Sequence, residues 1–451
     1  MVENKYQWKN WAENQSCSPD GIFTPINEEE LLYSVRHAIK ENRKLKAVGT
    51  GHSFTGTALT DGYLIDLSKY DKILSVDPNL NQVTVQVGKK LEHLSPELWD
   101  HGLAMSDLGD IAYQSVAGAI STGTHGTGLT FGCLATQVVA ARVITGEGEI
   151  VECSMVERPD LLRAAVVGVG AAGLLSTITL QLEPAFNLHA QEVMLPFQEV
   201  LDQQDQFIID NEHFEYFCVP GMDQAFTKRN NRTSLPVTEF SKWQKWFEEE
   251  FSYNYLRRLA IAANKVSPRL AALIGNSLPS GTREDYVDRS YSEFTSERKL
   301  KFIEMEYFIP REFAREALQR VLDFVEKSGL EISMPIEVRW AQADDIPLSM
   351  CSGRDTASIA IHVRQHEAFE PYFVPVETIM RDYEGRPHWG KMHFQTAETL
   401  APLYPKWEEF QLARKELDPL GLYSNVYTDR VLGQIILNRE YPPSMMKSSP
   451  V

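Results

Sequence analysis

Across its 451 residues the chain carries 62 Asp and Glu against 44 Lys and Arg, so a net charge of −18 sets most of its surface against a nucleic-acid backbone. Its length and 43% hydrophobic content suffice for two or three domains with real cores, and no stretch approaches the ~20 apolar residues of a membrane span. Cys17, Cys133, Cys153, Cys218 and Cys351 are scattered without metal-ligand spacing and read as reduced thiols of a soluble cytoplasmic protein with no metal site, and the N-terminus lacks a signal-peptide pattern.

After a lead containing Trp8 and Trp11, Asn27 and the acids from Glu28 onward predict a capped helix with Leu31, Leu32, Val35, Ala38 and Ile39 at helical spacing. A strand over 44–48 then delivers Ala47-Val-Gly-Thr-Gly-His-Ser-Phe-Thr-Gly56, in which three glycines let backbone amides approach an anion closely. It is neither a Walker loop nor a dinucleotide fingerprint. An ordinary glycine turn with a hydrogen-bonded histidine is the plainer reading of these residues alone.

Short strands over 63–67, 73–76 and 83–87 and a helix over 91–101 lead to a second run of small residues, Ser115 to Gly128. No bulky side chain there could hold a ligand off the backbone. Two such cradles suggest one long anionic ligand between them, a pyrophosphate with its flanking groups. A hairpin over 138–152, a helix over 160–166, the glycine-rich Gly168 to Gly173 and a strand over 174–180 complete an α+β domain to about residue 185.

The second region starts near Pro184. It offers strands over 214–219 and 302–309, a polar, Trp-rich segment around 230–300, a helix over 311–329, strands over 336–340 and 358–363, and a helix over 374–383. Their order suggests another α+β layer with helices over one sheet face. Glu337 and Arg339, two apart, share a strand face. They form either a solvated surface pair or a carboxylate and cation placed beside a polyol. Lys391, in the loop Arg386-Pro-His-Trp-Gly-Lys-Met-His393, is a further donor or base. His362, in an apolar strand, reads more simply as a hydrogen-bonded core residue.

Together these stretches resemble the sugar-1,4-lactone oxidoreductases, the gulonolactone, galactonolactone and arabinonolactone oxidases and dehydrogenases of the vanillyl-alcohol-oxidase superfamily, with alditol oxidase as a neighbour. Gly49 to Phe54 is similar to the flavin-attachment loop, Ser115 to Gly128 to the second FAD loop, Glu337-Val-Arg339 to the substrate strand and Gly385 to Lys391 to the C-terminal signature. Gly109-Asp-Ile and Gln114 to Gly118 resemble the bacterial gulonolactone subgroup.

The resemblance implies a two-domain, PCMH-type flavoprotein: an FAD-binding domain over 1–185, a substrate-binding cap over 186–410, and a segment over 411–451 returning to the first. FAD would be held by Ala47, Val48, Gly49, Thr50, Gly51, His52 and Ser53, by Ser115, Val116, Ala117 and Gly118, and by Thr122, Gly123, Thr124 and His125. Leu175 would lie toward the adenine, His388 near the isoalloxazine, and His52 would be the covalent attachment point.

Glu337, Arg339 and Lys391 would surround the reacting carbon, whose hydride passes to flavin N5. A cation such as Arg339 or Lys391 would stabilise the reduced, anionic flavin. Asp110, counted with both the flavin and the substrate contacts, stands where alditol oxidase has a serine, and His362 where it has a threonine. The first departure argues against a plain alditol substrate, and the second leaves the polarity of the pocket open. Gly109 implies oxygen access to the reduced flavin and so an oxidase, with O₂ or another acceptor closing the cycle.

Overall fold

Capping chemistry starts the first helix, Glu28–Lys40, where the side chain of Asn27 accepts from the amide of Glu30 at 2.9 Å. Leu31, Val35 and Ala38 are buried on its inner stripe. In the computed structural model, which describes residues 7–240, 285–296, 300–332 and 334–435, this helix leads into strand Leu45–Val48. That strand runs parallel to Tyr63–Asp66, which also pairs with Gly21–Phe23. A five-stranded antiparallel sheet follows, in the order Ile150–Ser154, Val138–Ile144, Leu174–Gln181, Gln82–Gln86, Ile73–Asp77. The predicted hairpin is there, with Ile150 opposite Ile144.

One apolar core holds these elements together and also takes in residues much later in the chain. Trp389, Leu400, Tyr404, Phe410, Leu417, Tyr423 and Val431 pack in the same cluster as Leu31, Val85 and Ile144.

The other large element is an eight-stranded antiparallel sheet. Its order is Asp285–Arg289, Asn187–Pro196, Gln224–Thr233, His213–Cys218, Ile336–Ala341, Thr356–Arg364, Phe302–Pro310, Arg386–Pro387. Helices Phe197–Asp210, Ala314–Ser328 and Glu370–Arg381 cover one face. The second core lies there, built from Val338, Trp340, Ile359, Ile361, Tyr307 and Ile309 against Leu318, Val321 and Val376. Helix Ala314–Ser328 buries Ala314, Ala317, Leu318, Val321 and Val325 and stops at Gly329, whose φ of 70° is the left-handed cap glycine adopts without strain.

The strands at 187–196 and 224–233 carry no apolar alternation that announces them. They form because each pairs with the other over its full length, from Asn187 opposite Thr233 to Pro196 opposite Gln224, and tertiary pairing outweighs local propensity. Most of the Trp-rich segment expected around 230–300, with Trp243 and Trp246, lies outside the described residues. Among the described residues no helix is long and apolar enough to cross a membrane.

Lys46 is the polar exception in the first core. It is 2% exposed, and its ammonium donates to the carbonyls of Gly170 at 2.7 Å and Tyr423 at 3.0 Å. Burial lowers its pKa from 10.5 to about 7, with Asp418 opposing the shift. Between those values the unfolded chain holds a proton the folded chain has released, so this lysine adds stability as pH rises. Urea unfolding midpoints compared between wild type and Lys46→Met should therefore diverge in favour of wild type from pH 7 toward 10; a constant difference would show that Lys46 stays charged.

Candidate active site

The two glycine-rich stretches face one another. Ala47, Val48, Gly49, Thr50, Gly51, His52 and Ser53 line a single cavity with Ser115, Ala117, Gly118 and Thr122, and Gly170, Leu175 and Tyr423 close it. It holds about 980 Å³ of non-protein space, part of it open to solvent. The stretches approach so closely that a Cβ on Gly49 would fall 1.8 Å from Ser115 Oγ. That hydroxyl caps the short helix Val116–Ser121 by accepting from the amide of Gly118 at 3.2 Å. Small residues on facing walls, with a neutral histidine at the rim, suit an extended dinucleotide such as FAD.

Not every predicted cofactor residue reaches that wall. Val116 packs into the first core, and Gly123 abuts Met350, where a Cβ would sit 2.9 Å from Cε. Thr124 is hydrogen-bonded with Gln114, and His125 turns toward the second sheet.

His52 stacks on Trp11 with centroids 5.3 Å apart and lies nearly parallel to Tyr113 at 6.3 Å. Burial, helped by the charges of Lys391 and Lys90, lowers its pKa to about 4, so its imidazole is neutral at pH 7.

The loop after strand Arg386–Pro387 ties this cavity to the eight-stranded sheet. Phe54 donates its amide to Gly390 O at 2.7 Å, and Thr55 its hydroxyl to Trp389 O at 3.1 Å. On the loop's other side the amides of His388 and Met392 bond the carbonyls of Glu306 and Glu304. Lys391 and His388 are therefore held between the first cradle and strand Phe302–Pro310.

The sheet face opposite the helices is charged and buried. Glu337 is 4% exposed, Arg339 6%, Glu306 0% and Glu304 3%, which rules out a solvated surface pair. Arg339 Nη2 lies 3.0 Å from Glu306 Oε1, and its Nε 3.1 Å from Glu337 Oε1 without the alignment of a hydrogen bond. Lys391 is ion-paired with Glu304. His362 donates from Nδ1 to Pro335 O at 2.9 Å and lies 3.7 Å from Glu304, so it is both a hydrogen-bonded residue and a member of this face.

Burial works against the Arg339 charge, but Glu337 and Glu306 outweigh it and hold the guanidinium above its ordinary range. Burial also opposes the ionisation of Glu306, yet Arg339 and His125 keep its pKa well below normal. Glu337 is the group left over. Burial, with Glu215, Asp110 and Glu304 nearby, raises its pKa to about 8 despite Arg339.

Two histidines complete the floor. His125 places Nδ1 2.8 Å from Gly126 O and Nε2 2.8 Å from Glu306 Oε1, while burial and the Arg339 charge lower its pKa. Burial holds His388 neutral, and its Nδ1 accepts from the amide of Gly390 at 3.0 Å, which leaves the hydrogen on Nε2.

Asp110 accepts from Ser296 Oγ at 2.7 Å and contributes to the Glu337 shift. At Gly109 a Cβ would meet Thr124 Cγ2 at 2.7 Å and His125 O at 3.1 Å. Glu304 and Glu306 were missed from sequence although their signal is the one that exposed Glu337 and Arg339, charges at alternate positions of an apolar strand.

Glu306 Oε2 is buried without a hydrogen-bond partner, and Glu337 Oε1 and Arg339 Nε meet only each other, so this face holds polar groups that the protein leaves incompletely satisfied.

The model of the D-arabinono-1,4-lactone oxidase family matches residues 178–431, and that of an FAD binding domain residues 19–154. An L-gulono-1,4-lactone dehydrogenase of Mycobacterium tuberculosis is 43% identical over 429 residues, covering 94% of this chain and 99% of the relative. L-gulonolactone oxidase of Bos taurus is 34% identical over 436 residues, covering 94% and 98%. The crystal structure of cholesterol oxidase from B. sterolicum superposes with a TM-score of 0.78 at 16% identity, covering 94% and 96%, and shares the fold. With an FAD-binding domain ahead of a cap that matches the family model, the chain belongs to the D-arabinono-1,4-lactone oxidase family of FAD-linked sugar-lactone oxidoreductases.

Proposed function

We propose that the protein oxidises an aldono-1,4-lactone of the L-gulono-1,4-lactone type, using FAD held between residues 47–53 and 115–122. One observation carries this reading: the loop at 388–392 binds the first cradle on one side and the Glu304–Glu306 strand on the other. Those contacts support a reading in which the buried acid-base face works beside the cofactor cavity. Bound FAD supplies a two-electron acceptor for the hydrogen on the hydroxyl-bearing carbon.

The protein's own groups do the rest. Glu337, once ionised, takes the hydroxyl proton, and a pKa of about 8 matches a base working near neutrality. Arg339 and Lys391 orient the lactone oxygens and oppose negative charge that develops in the reaction. Neutral His388 offers Nε2–H as a donor. The burial of these groups excludes bulk water and strengthens each interaction.

The neutral imidazole of His52 is a competent nucleophile for a covalent link to the flavin, and we place the link there. Gly109 is packed so closely against Thr124 and His125 that a Cβ there would clash, so the reading of an oxidase with O₂ or a second acceptor rests on the family resemblance of that glycine and not on open space beside it. For location we infer the reducing cytoplasm, since Cys17 and the buried Cys133, Cys153, Cys218 and Cys351 are free thiols.

The purified protein should be yellow and bleach anaerobically with L-gulono-1,4-lactone but not with xylitol; bleaching by xylitol alone would make it an alditol oxidase, and a colourless, flavin-free preparation would remove the proposal. In stopped flow the bleaching rate should rise with pH through an apparent pKa near 8, and Glu337→Gln should lower it about 100-fold or more and flatten the profile. An unchanged inflection in that variant would assign the base elsewhere. His52→Ala should bind FAD that acid precipitation releases, whereas flavin still migrating with the denatured variant would place the attachment on another residue.

A further inference from the structure

The charged face of the eight-stranded sheet does not end at Glu337 and Arg339. Tyr216 lies opposite Val338 and Phe217 opposite Glu337, so continuing that register sets Glu215 beside Arg339. Glu215 in turn lies opposite Lys228, and Lys228 opposite Glu192. Four neighbouring strands thus present Arg339, Glu215, Lys228 and Glu192 as one row of alternating charge. At a strand spacing of about 4.8 Å, Lys228 stands about 10 Å from Arg339.

Lys228 is held loosely. Its Nζ is 3.4 Å from Glu215 and 3.9 Å from both Glu192 and Glu293, longer than the 2.7–2.9 Å typical of a charge-assisted hydrogen bond. Tyr286 donates to Glu293 at 2.6 Å, while Glu293 Oε1 is buried without a hydrogen-bond partner. A buried ionic cluster is a poor stabiliser, since apolar residues of like volume commonly serve as well or better. Its continuity with the Glu337–Arg339 face is the better reason for its presence. Asp110 links the two, contributing to the electrostatics of both Lys228 and Glu337. In the other direction the face is taken up by Lys391 and the loop at 388–392.

We propose that Glu215, Lys228 and Glu192, flanked by Glu293 and Tyr286, form the subsite for the hydroxyl-bearing side chain that projects from the lactone ring, and that this row sets the preferred length of that chain. The inference rests on the lactone reading above. Lys228 donates to the distal hydroxyl oxygens and the carboxylates accept their protons, while Glu337 and Arg339 hold the ring. Lys228 is therefore a specificity residue rather than one at the reacting carbon.

The test is anaerobic stopped-flow bleaching of flavin-loaded wild type and Lys228→Met by L-gulono-1,4-lactone, which has a two-carbon side chain, and by erythrono-1,4-lactone, which has none. For the longer lactone, Lys228→Met should raise the half-saturating concentration about tenfold or more with the limiting rate within about threefold, and for the shorter one the rise should stay below about threefold. Equal shifts for both lactones, or no shift for either, would overturn the subsite. If Lys228→Met loses its flavin, Glu192→Gln at the outer end of the row is read by the same criterion. A wild type bleached by neither lactone would fail the underlying reading, whereas a wild type bleached by both, with an unmoved ratio in the variant, would fail only the subsite.

Discussion

Arg339 lies 3.0 Å from Glu306 and 3.1 Å from Glu337, and one guanidinium cannot neutralise two carboxylates. Glu306 wins because His125 approaches its Oε1 at 2.8 Å as well. Glu337, with only the unaligned Nε contact, carries the burial cost and holds its proton to about pH 8. Lys391 offers it no relief, being engaged by Glu304. Two satisfied ion pairs and one unsatisfied acid is a distribution in which pKa values are pushed apart, the condition under which one carboxyl serves as a proton acceptor while its neighbours only fix charge.

That distribution depends on a sheet with two unlike faces. Because side chains alternate along a strand, the backbone that presents Glu337 and Arg339 to the charged face presents Val338 and Trp340 to the helices. A slip of one residue would drive the charges into the second core and the apolar side chains into the site. Packing of Tyr307, Ile359 and Val338 beneath the helices therefore fixes the register of the acid-base face, and the stability of one side sets the geometry of the other.

The parts of the molecule legible in the sequence were those where a local pattern stands for a local cause. Asn27 with the acids after it marked a helix start, and the small residues at 47–56 and 115–128 two approachable backbones. What no local pattern could supply was distance. That Ser115 Oγ would lie inside the van der Waals radius of a Cβ on Gly49, or that His125 reaches across to Glu306, depends on how separate elements pack. Glu304 and Glu306 were open to the reasoning applied to Glu337 and Arg339. Lys228 was not, because Gln224–Thr233 is too polar to read as a strand until its partner Asn187–Pro196 is known.

Closure of the cofactor cavity draws on both ends of the described chain. Lys46, at the entry to the first cradle, holds the carbonyl of Tyr423 across 377 residues, and Asn425 caps its own helix while donating to the carbonyls of Gly56, Thr57 and Leu59. Phe54 and Thr55 meanwhile lean on the loop that carries Lys391. The cradle at 47–56 is thus shaped by contacts that exist only after the cap sheet and the C-terminal helices are in place. A ligand that needs this shape binds the completed fold and not the first third of the chain alone, so its binding energy is added to the stability of the whole. The same loop couples the cradle that carries His52 to the strand that carries Glu304 and Glu306, so the two are positioned together.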